Sequence, residues 1–305
     1  MRRLQPRTIR AATAMVSLTT PWRGGAVAAC IVASAVAHAD PIQVVAAESV
    51  YGDIVAQIGG PRVAVKSILT NPNQDPHQFE ANASTARAIA EAKLVIYNGA
   101  GYDPWAERLL AASASSTRDS IEVARLSDKK AGDNPHLWYE PAAVSALAAA
   151  VAARLTKLDP ERGADYAHAL SLFEAAMGRL AQRIVALRAR HAGTAVTATE
   201  PVFDYMADAL GLRMRNRSFQ LAVMNGTEPS AAAIAAFEND LRTRAVKVLL
   251  YNGQTTAALA RRMRTIAIAA GVPVIAITET EPPGLRYQEW MLGQLDALDR
   301  ALDGR

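Results

Sequence analysis

From Ile42 onward, short runs of β-branched residues alternate with longer alanine-rich stretches. In the first half, the strand candidates are Ile42–Ala46, Val63–Leu69, Leu94–Asn98 and Ile121–Leu126. After Gly193 the pattern returns, with candidates at Ala195–Ala198, Arg213–Arg215, Val246–Tyr251 and Val274–Thr278. Helical stretches separate or follow these strands, near Val50–Ile58, Ser84–Ala92, Pro104–Ala112, Val202–Leu210, Ser230–Thr243, Thr255–Ala270 and Tyr287–Leu302. Such alternation predicts βαβ units and parallel sheets. The sequence therefore predicts an α/β fold with two lobes, each built on a parallel sheet.

Between the two halves, residues 141–192 carry no strand signal. Pro141–Lys157 predicts one helix, since proline is favoured in the first helical turn, and Asp159-Pro160 ends it. Arg162–Arg190 predicts a single long helix, because apolar residues recur there at helical spacing: Tyr166, Leu170, Phe173, Met177, Leu180, Ile184 and Leu187. Such a helix would be ~43 Å long. We expect it to form a rigid bridge between the lobes.

The first 39 residues have the three parts of a secretory signal peptide. They hold five arginines and no acidic residue, then the apolar run Gly25–Val36, then Ala37-His38-Ala39 as an A-x-A cleavage site. The apolar run is too short to span a hydrocarbon core of ~30 Å. We expect cleavage after Ala39 and export to the periplasm. The predicted parts are a signal peptide at 1–39, an N-terminal α/β lobe at 40–140, a helical segment at 141–192 and a C-terminal α/β lobe at 193–305.

The net charge depends on whether this segment is kept. The whole chain carries +4, and loss of five arginines leaves −1, which removes the positive charge that a nucleic-acid partner would need. Cys30 is the only cysteine, and it leaves with the segment, so a disulfide framework and cysteine-based metal sites are excluded. Val27–Cys30 resembles a lipoprotein cleavage site only loosely, since apolar Ile31 follows. Histidine and carboxylate must therefore supply any metal site.

Two of the remaining histidines share an unusual context. Asp75-Pro76-His77 and Asn134-Pro135-His136 repeat one unit, a small polar residue followed by proline and histidine, each after a strand-and-loop region. Proline fixes φ and restricts its predecessor, so a stiff backbone presents each imidazole where α/β folds place ligands. On spacing alone, a metal role and an ordinary loop role both stay open. His168 and His191, on the long helix and at its exit, are interpreted as solvated helical histidines.

Two carboxylates follow strands of the second half. Glu200 stands at a strand-to-helix junction before Pro201, where a carboxylate also suits the helix dipole. Glu279 follows the last predicted strand, where a solvated loop carboxylate is the alternative interpretation. The sequence holds no H-E-x-x-H, no Walker A loop and no G-x-S-x-G elbow. No catalytic constellation is visible.

With these residues assembled, the chain resembles the zinc/manganese-binding solute receptors of bacterial ABC importers, the cluster A-I substrate-binding proteins. The resemblance extends from about Ile42 to Leu302. Four stretches carry it, in the family's order: DPHQFEANASTARAIAEAKLVIYNGAGYDPW (75–105), NPHLWYEP (134–141), EPVFDYMADALGL (200–212) and TETEPPG (278–284). The resemblance implies two Rossmann-like lobes bridged by a long rigid helix, in agreement with the pattern of strands and helices.

The family holds its metal on four side chains in the cleft between the lobes. By resemblance, His77 and His136 supply the first two ligands from the N-terminal lobe. Glu200 stands where zinc-selective members usually have a third histidine and manganese-type members a glutamate. Glu279 falls where most members have aspartate. Glu281 is the alternative for this fourth place, and we prefer Glu279 because it directly ends the strand.

Two imidazoles and two carboxylates form a more oxygen-rich set than three imidazoles, which favours Mn²⁺ or Fe²⁺, although such a site would still bind Zn²⁺ tightly. Each carboxylate can bind through one or both oxygens, so four- to six-fold coordination is open. Residues 114–133, where zinc receptors of the family often carry a histidine-rich loop, contain no histidine. We expect one divalent ion as transported ligand, Mn²⁺ or Zn²⁺ with Fe²⁺ possible, and a slight preference for Mn²⁺.

The resemblance implies a binding protein rather than an enzyme. It would capture the ion outside the cytoplasmic membrane and deliver it to the permease of an ABC transporter, driven by a cytoplasmic ATPase. We expect a monomer that does not itself span the membrane and binds no nucleic acid. The alternatives are a siderophore or haem receptor of the same two-lobed architecture, a metal-dependent hydrolase and an adhesin.

Overall fold

The computed structural model describes residues 40–304, and its first half holds one sheet of four parallel strands. In chain order the elements are β1 Ile42–Glu48, α1 Ser49–Gly59, β2 Val63–Leu69, α2 Ala83–Glu91, β3 Leu94–Tyr97, α3 Pro104–Ala112, β4 Asp119–Glu122 and α4 Val123–Leu126. The strands lie in the order β2-β1-β3-β4. All of β3 is buried, as expected of a central parallel strand that is covered on both faces.

Two helices follow the first sheet, α5 Pro141–Leu158 and α6 Gly163–His191. The 29 residues of α6 pack against α5 and α1. The buried side chains of α6 recur at helical spacing: Tyr166, Phe173, Met177, Leu180, Ile184, Leu187 and His191. The predicted long helix is confirmed, and of its predicted apolar positions only Leu170 is partly buried rather than buried.

The second half repeats the architecture of the first. Its elements are β5 Ala195–Ala198, α7 Asp204–Ala209, β6 Arg213–Arg215, α8 Arg217–Met224, α9 Ala231–Arg242, β7 Leu249–Asn252, α10 Ala258–Ala270, β8 Val274–Ile277 and α11 Tyr287–Leu302. The strands are parallel in the order β6-β5-β7-β8. Strands β5 to β8 therefore take the positions that β1 to β4 take in the first sheet. The predicted α/β fold with two parallel-sheet lobes is confirmed.

One apolar core extends through both lobes. It includes β1 and β3 of the first sheet, α5, α6 and α11, and buried residues of β5, β7 and β8. Aromatic side chains between the lobes add hydrogen bonds to this core: the Tyr139 hydroxyl donates to the carbonyl of Thr278 at 2.8 Å. The Tyr287 hydroxyl donates to the carbonyl of Trp138 at 2.9 Å. The loops at the carboxyl ends of the strands in both lobes are therefore supported by the same apolar core.

Some predicted elements differ from the structure, and one helix was not predicted. The predicted strand Val246–Tyr251 is wrong before Leu249, where β7 begins. The predicted strand Ile121–Leu126 is wrong beyond Glu122, because β4 ends level with β3, and the Ala124 amide then donates to the carbonyl of Asn98 at 2.9 Å. The predicted helix near Val202–Leu210 divides into a short 3-10 turn at Pro201–Phe203 and α7. Helix α8 was not predicted; it begins after Asn216, whose φ of 62° lies in the left-handed region.

The predicted signal peptide and its cleavage after Ala39 lie outside the described residues. Within the described residues, one helix, α5, is long and apolar enough by itself to cross a membrane. Its buried positions, including Val144, Leu147, Val151 and Leu155, belong to the apolar core that extends through both lobes. This packing is typical of a core helix.

Candidate metal centre

His77 stands on a short turn formed by its Asp-Pro-His unit. Pro76–Gln78 forms a 3-10 turn after β2, and the Asp75 carboxylate accepts a hydrogen bond from the His77 backbone amide at 3.0 Å. This Asx-type turn fixes the backbone on which the imidazole stands. The His77 Nε2 atom lies 3.3 Å from Oε2 of Glu279, and the side chain is 26% exposed.

His136 uses the same device but is fully buried. The Asn134 side-chain oxygen accepts from the His136 backbone amide at 3.1 Å and lies 2.6 Å from the ring Nδ1. With the Nδ1 proton donated to Asn134, the lone pair of Nε2 is free, the arrangement that suits a metal-binding imidazole. Nε2 makes no hydrogen bond and lies 3.3 Å from Oε2 of Glu279.

Glu279 follows β8, so the second lobe supplies this carboxylate to the two imidazoles of the first lobe. Its Oε2 atom accepts from the Tyr102 hydroxyl at 3.0 Å, and its Oε1 atom accepts from the side-chain amide of Asn252 at 2.7 Å. Burial by itself raises the pKa of this carboxyl, but the neighbouring imidazoles of His136 and His77 outweigh burial and hold the pKa well below its usual range. The carboxylate is therefore charged at neutral pH.

Glu200 lies next to this group, at the end of β5. Its carboxylate is 5% exposed, and its Oε2 atom accepts from the same Asn252 amide at 3.1 Å. Its Oε1 atom is buried and makes no hydrogen bond, although the Thr255 hydroxyl lies near the carboxylate. Burial, followed by the negative charge of Glu279, raises the pKa of Glu200 to about 7.

This environment shifts the pKa values of the two imidazoles in opposite directions. Burial disfavours the imidazolium form of His77, but the hydrogen bond and charge of Glu279 outweigh burial and raise its pKa. At His136, burial dominates and lowers the pKa. His136 is thus neutral and ready to donate its lone pair at neutral pH, whereas His77 holds a proton more strongly until a cation displaces it.

The atoms that converge here suit one transition-metal ion. His77, His136 and Glu279 each offer one ligand atom, all within 4.8 Å of one another. The 3.3 Å separations from Glu279 to both imidazoles match the edge of a tetrahedron around an ion with bonds of about 2.0–2.1 Å. Nε2 of His136 and Oε1 of Glu200 are buried and make no hydrogen bond. A bound cation would satisfy the lone pairs of both atoms.

The predicted ligands are distributed as follows. The structure groups His77, His136 and Glu279, and it joins Glu200 to this group through the shared Asn252 amide. Glu281, the alternative for the fourth place, is outside the group. Burial and the nearby charge of Asp53 raise the pKa of Glu281 to about 9.

The interpretation of His191 as a solvated histidine is wrong. It is 9% exposed, and its Nε2 lies 2.8 Å from Asp299 on α11. Asp303 lies near as well, so these three residues form a second cluster of potential ligands. Arg190 binds both aspartates and Arg183 binds Asp299, so guanidinium groups already neutralise these carboxylates. His168 is exposed, as expected.

Three residues that orient the site escaped the sequence analysis: Tyr102, Asn252 and Gln254. The Gln254 side chain accepts from the backbone amide of Glu279 at 2.6 Å and donates to the carbonyl of Gln74 at 2.9 Å. A signal was present, since Tyr-Asn-Gly occurs at both 97–99 and 251–253. The sheet orders show that these two tripeptides end equivalent strands, β3 and β7.

Residues 44–301 match the family described as zinc-uptake complex component A, periplasmic. The chain belongs to this family. The resemblance to the cluster A-I receptors of metal ABC importers is therefore confirmed. The family consists of solute-binding proteins rather than enzymes.

Curated relatives cover most of the chain at low identity. A putative metal-binding protein of Treponema pallidum (strain Nichols) is 24% identical over 292 residues, 88% of this chain and 89% of the relative. The iron ABC transporter substrate-binding lipoprotein MtsA of Streptococcus pyogenes serotype M1 is 23% identical over 289 residues, 87% of this chain and 90% of the relative. Among solved structures, FpvC from Pseudomonas aeruginosa in complex with Mn²⁺ has a TM-score of 0.71 and 22% identity over 87% of this chain and 99% of that one. This last likeness shows the shared fold.

Proposed function

We propose that this protein captures one divalent transition-metal ion, Mn²⁺ or Zn²⁺, between its lobes and delivers it to the permease of an ABC importer. His77 and His136 hold the ion from the first lobe, and Glu200 and Glu279 hold it from the second. The observation that carries this proposal is the convergence of two imidazole lone pairs on the buried carboxylate of Glu279. Two carboxylates balance the charge of a divalent ion, and neutral histidines add none.

The site accommodates a bare ion rather than an organic chelate. The nitrogen and oxygen atoms lie 3.3 Å apart, and His136 is completely buried, so a haem or siderophore has no place between them. A hydrolase would need an open coordination position and a general base. Delivery to a permease driven by an ATPase is supported by family membership, and we propose that the protein acts as a monomer. Export and cleavage after Ala39 are proposed from the signal-peptide pattern of residues 1–39.

Competition among metals tests the proposal. Metal-free protein is offered Mn²⁺, Fe²⁺ and Zn²⁺ together under reducing conditions, and the bound metal is measured. We expect one ion per chain for the parent protein and a large loss for both His77→Ala and Glu200→Ala. Binding by both variants as tight as that of the parent would show that the ligands are wrongly assigned.

A further inference from the structure

Asn252 stands at the end of β7 with every polar group of its side chain engaged. The two hydrogens of Nδ2 go to different carboxylates, Oε2 of Glu200 at 3.1 Å and Oε1 of Glu279 at 2.7 Å. Its Oδ1 atom accepts from the backbone amide of Gln254 at 3.0 Å, which fixes which way the amide faces. The residue is 3% exposed, so water does not compete for these bonds.

This one amide occupies one oxygen of each proposed carboxylate ligand. Glu279 directs Oε2 toward the two histidines, where this oxygen also accepts from the Tyr102 hydroxyl, and Glu200 has Oε1 without a hydrogen bond. The amide hydrogen on the other oxygen of each carboxylate competes with the ion for that oxygen, which favours binding through one oxygen only. Two imidazole nitrogens and two single oxygens make four donor atoms.

Four donors matter for the choice of metal. Zn²⁺ is satisfied by four ligands in a tetrahedron, whereas Mn²⁺ favours octahedral, oxygen-rich coordination. The ligand types alone favour Mn²⁺ or Fe²⁺, and the amide acts in the opposite direction by removing two oxygens from the available set.

Asn98, the residue of the first lobe that is equivalent to Asn252, does not bond to a carboxylate ligand. Asn98, at the end of β3, donates to the carbonyls of Pro135 at 2.9 Å and of Gly99 at 3.0 Å, and it accepts from the Tyr51 hydroxyl. It thus supports the backbone that carries His136. The second lobe uses the same position to hold the ligands themselves.

Resting on the proposed function, we propose that Asn252 is a positioning residue that keeps Glu200 and Glu279 monodentate and thereby shifts metal preference toward Zn²⁺ relative to Mn²⁺. Removal of the amide frees the second oxygen of each carboxylate. The freed oxygens add donors that benefit Mn²⁺ more than Zn²⁺.

The test compares Asn252→Ala with the parent protein and with the control Thr199→Val. The Thr199 hydroxyl accepts from the Asn252 backbone amide at 3.0 Å, so the control removes a buried hydrogen bond beside the site and leaves the amide on the carboxylates. Zn²⁺ and Mn²⁺ dissociation constants are measured by competition with chelators, and X-ray absorption counts the ligands of each bound ion. Thermal unfolding of the metal-free proteins records any general loss of stability.

For Asn252→Ala we expect the Zn²⁺/Mn²⁺ affinity ratio to fall by about tenfold, the scale on which groups that orient metal ligands act. We also expect the ligand count around Mn²⁺ to increase. Asn252→Ser, whose hydroxyl can serve only one carboxylate, should give an intermediate ratio, and it replaces the alanine variant if that one fails to fold.

An unchanged ratio and ligand count in the Asn252 variants would overturn the inference while leaving the proposed function intact. An equal shift in Thr199→Val would also overturn it, because the effect would then come from general loosening. Absence of metal binding in the parent protein would instead refute the proposed function itself, and the inference with it.

Discussion

The two lobes share a sheet order yet hold their proposed ligands by different means. In the first lobe, His77 and His136 stand on turns stiffened by proline and closed by Asp75 and Asn134. In the second lobe, the Glu279 and Glu200 side chains are held by the Asn252 amide. The first lobe therefore fixes its ligands mainly through backbone turns, with Asn134 also bonding the His136 ring, and the second fixes its carboxylates mainly through other side chains.

This difference separates the neutral ligands from the charged ones. An imidazole needs only a fixed direction and a free lone pair, which a rigid turn supplies. A buried carboxylate needs hydrogen-bond donors as well, because its charge is costly without them. The second lobe therefore depends on a network of amides that single substitutions can alter, and the predictions below exploit this contrast.

The largest effect is expected from the first lobe. His136→Ala removes a fully buried ligand, and we expect metal affinity to fall by about 100- to 1,000-fold, since each of four ligands contributes roughly 3 kcal/mol. Isothermal titration with Zn²⁺ measures the change. His168→Ala, at an exposed position of α6, is the matched control and should bind like the parent.

The pH dependence of metal affinity should be set mainly by Glu200 in the second lobe. The pKa of Glu200 is raised to about 7, and the ion binds the deprotonated carboxylate, so protons compete as the pH falls. We expect affinity to fall about tenfold between pH 8 and pH 6 from Glu200 alone. The raised pKa of His77 acts in the same direction.

Glu200→Gln separates these two contributions, because it removes the titrating carboxylate from the second lobe. Its affinity, measured by titration at a series of pH values, should be lower and should vary less with pH than that of the parent. A slope as steep as that of the parent would assign the dependence to the histidine lobe instead.

A smaller effect is expected where the lobes meet. The Tyr102 hydroxyl of the first lobe donates to Glu279 of the second at 3.0 Å. Tyr102→Phe removes this hydrogen bond, which orients the carboxylate, and should weaken the free energy of metal binding by about 1 kcal/mol. We expect roughly fivefold weaker metal binding by titration. Tyr97→Phe, whose hydroxyl donates to Glu122 instead, provides the control; equal losses in both variants would refute a specific role of Tyr102.

The smallest effect on binding is expected away from both ligand sets, at the contact between α6 and α11. Burial disfavours the charged form of Asp299, but hydrogen bonds from His191, Arg190 and Arg183 outweigh it and lower its pKa to about 2. This stabilisation is complete above the usual aspartate pKa of about 4 and is lost as the pH falls toward 2. Asp299→Asn should cost about 1 kcal/mol of stability at pH 7, because salt and solvent screen the network.

Urea unfolding at pH 7 and near pH 2 measures this difference, which should shrink at the lower pH. Metal affinity at pH 7 should match that of the parent. A change in affinity would mean that the contact between α6 and α11 is coupled to the site.

Much of the fold could be predicted because its signals are local. The bounds of β2, β5, β6, α3 and α11 agree with the sequence pattern to the residue, since runs of apolar residues and proline positions define them. Helix α4 could not be predicted, because the end of β4 depends on where its neighbour β3 ends and on a hydrogen bond to Asn98.

The candidate site divides in the same way. The repeated proline–histidine unit singles out His77 and His136 from the sequence itself. Glu200 and Glu279 follow predicted strands, but this position also suits ordinary carboxylates, so only the resemblance to a family assigned them as ligands. Asn252 was missed because an asparagine at a strand end carries no chemical signal alone, and the repeated Tyr-Asn-Gly indicates only that it corresponds to Asn98. Its importance depends on three-dimensional proximity to two carboxylates that are distant in the sequence.

Anomalous diffraction from a crystal grown with Zn²⁺ or Mn²⁺ tests the central claim most directly. The account predicts one dominant peak at about 2.0–2.2 Å from Nε2 of His77 and of His136, with one oxygen each from Glu200 and Glu279 completing the contacts. A dominant peak at His191, Asp299 and Asp303, or no peak within bonding distance of His136, would contradict it.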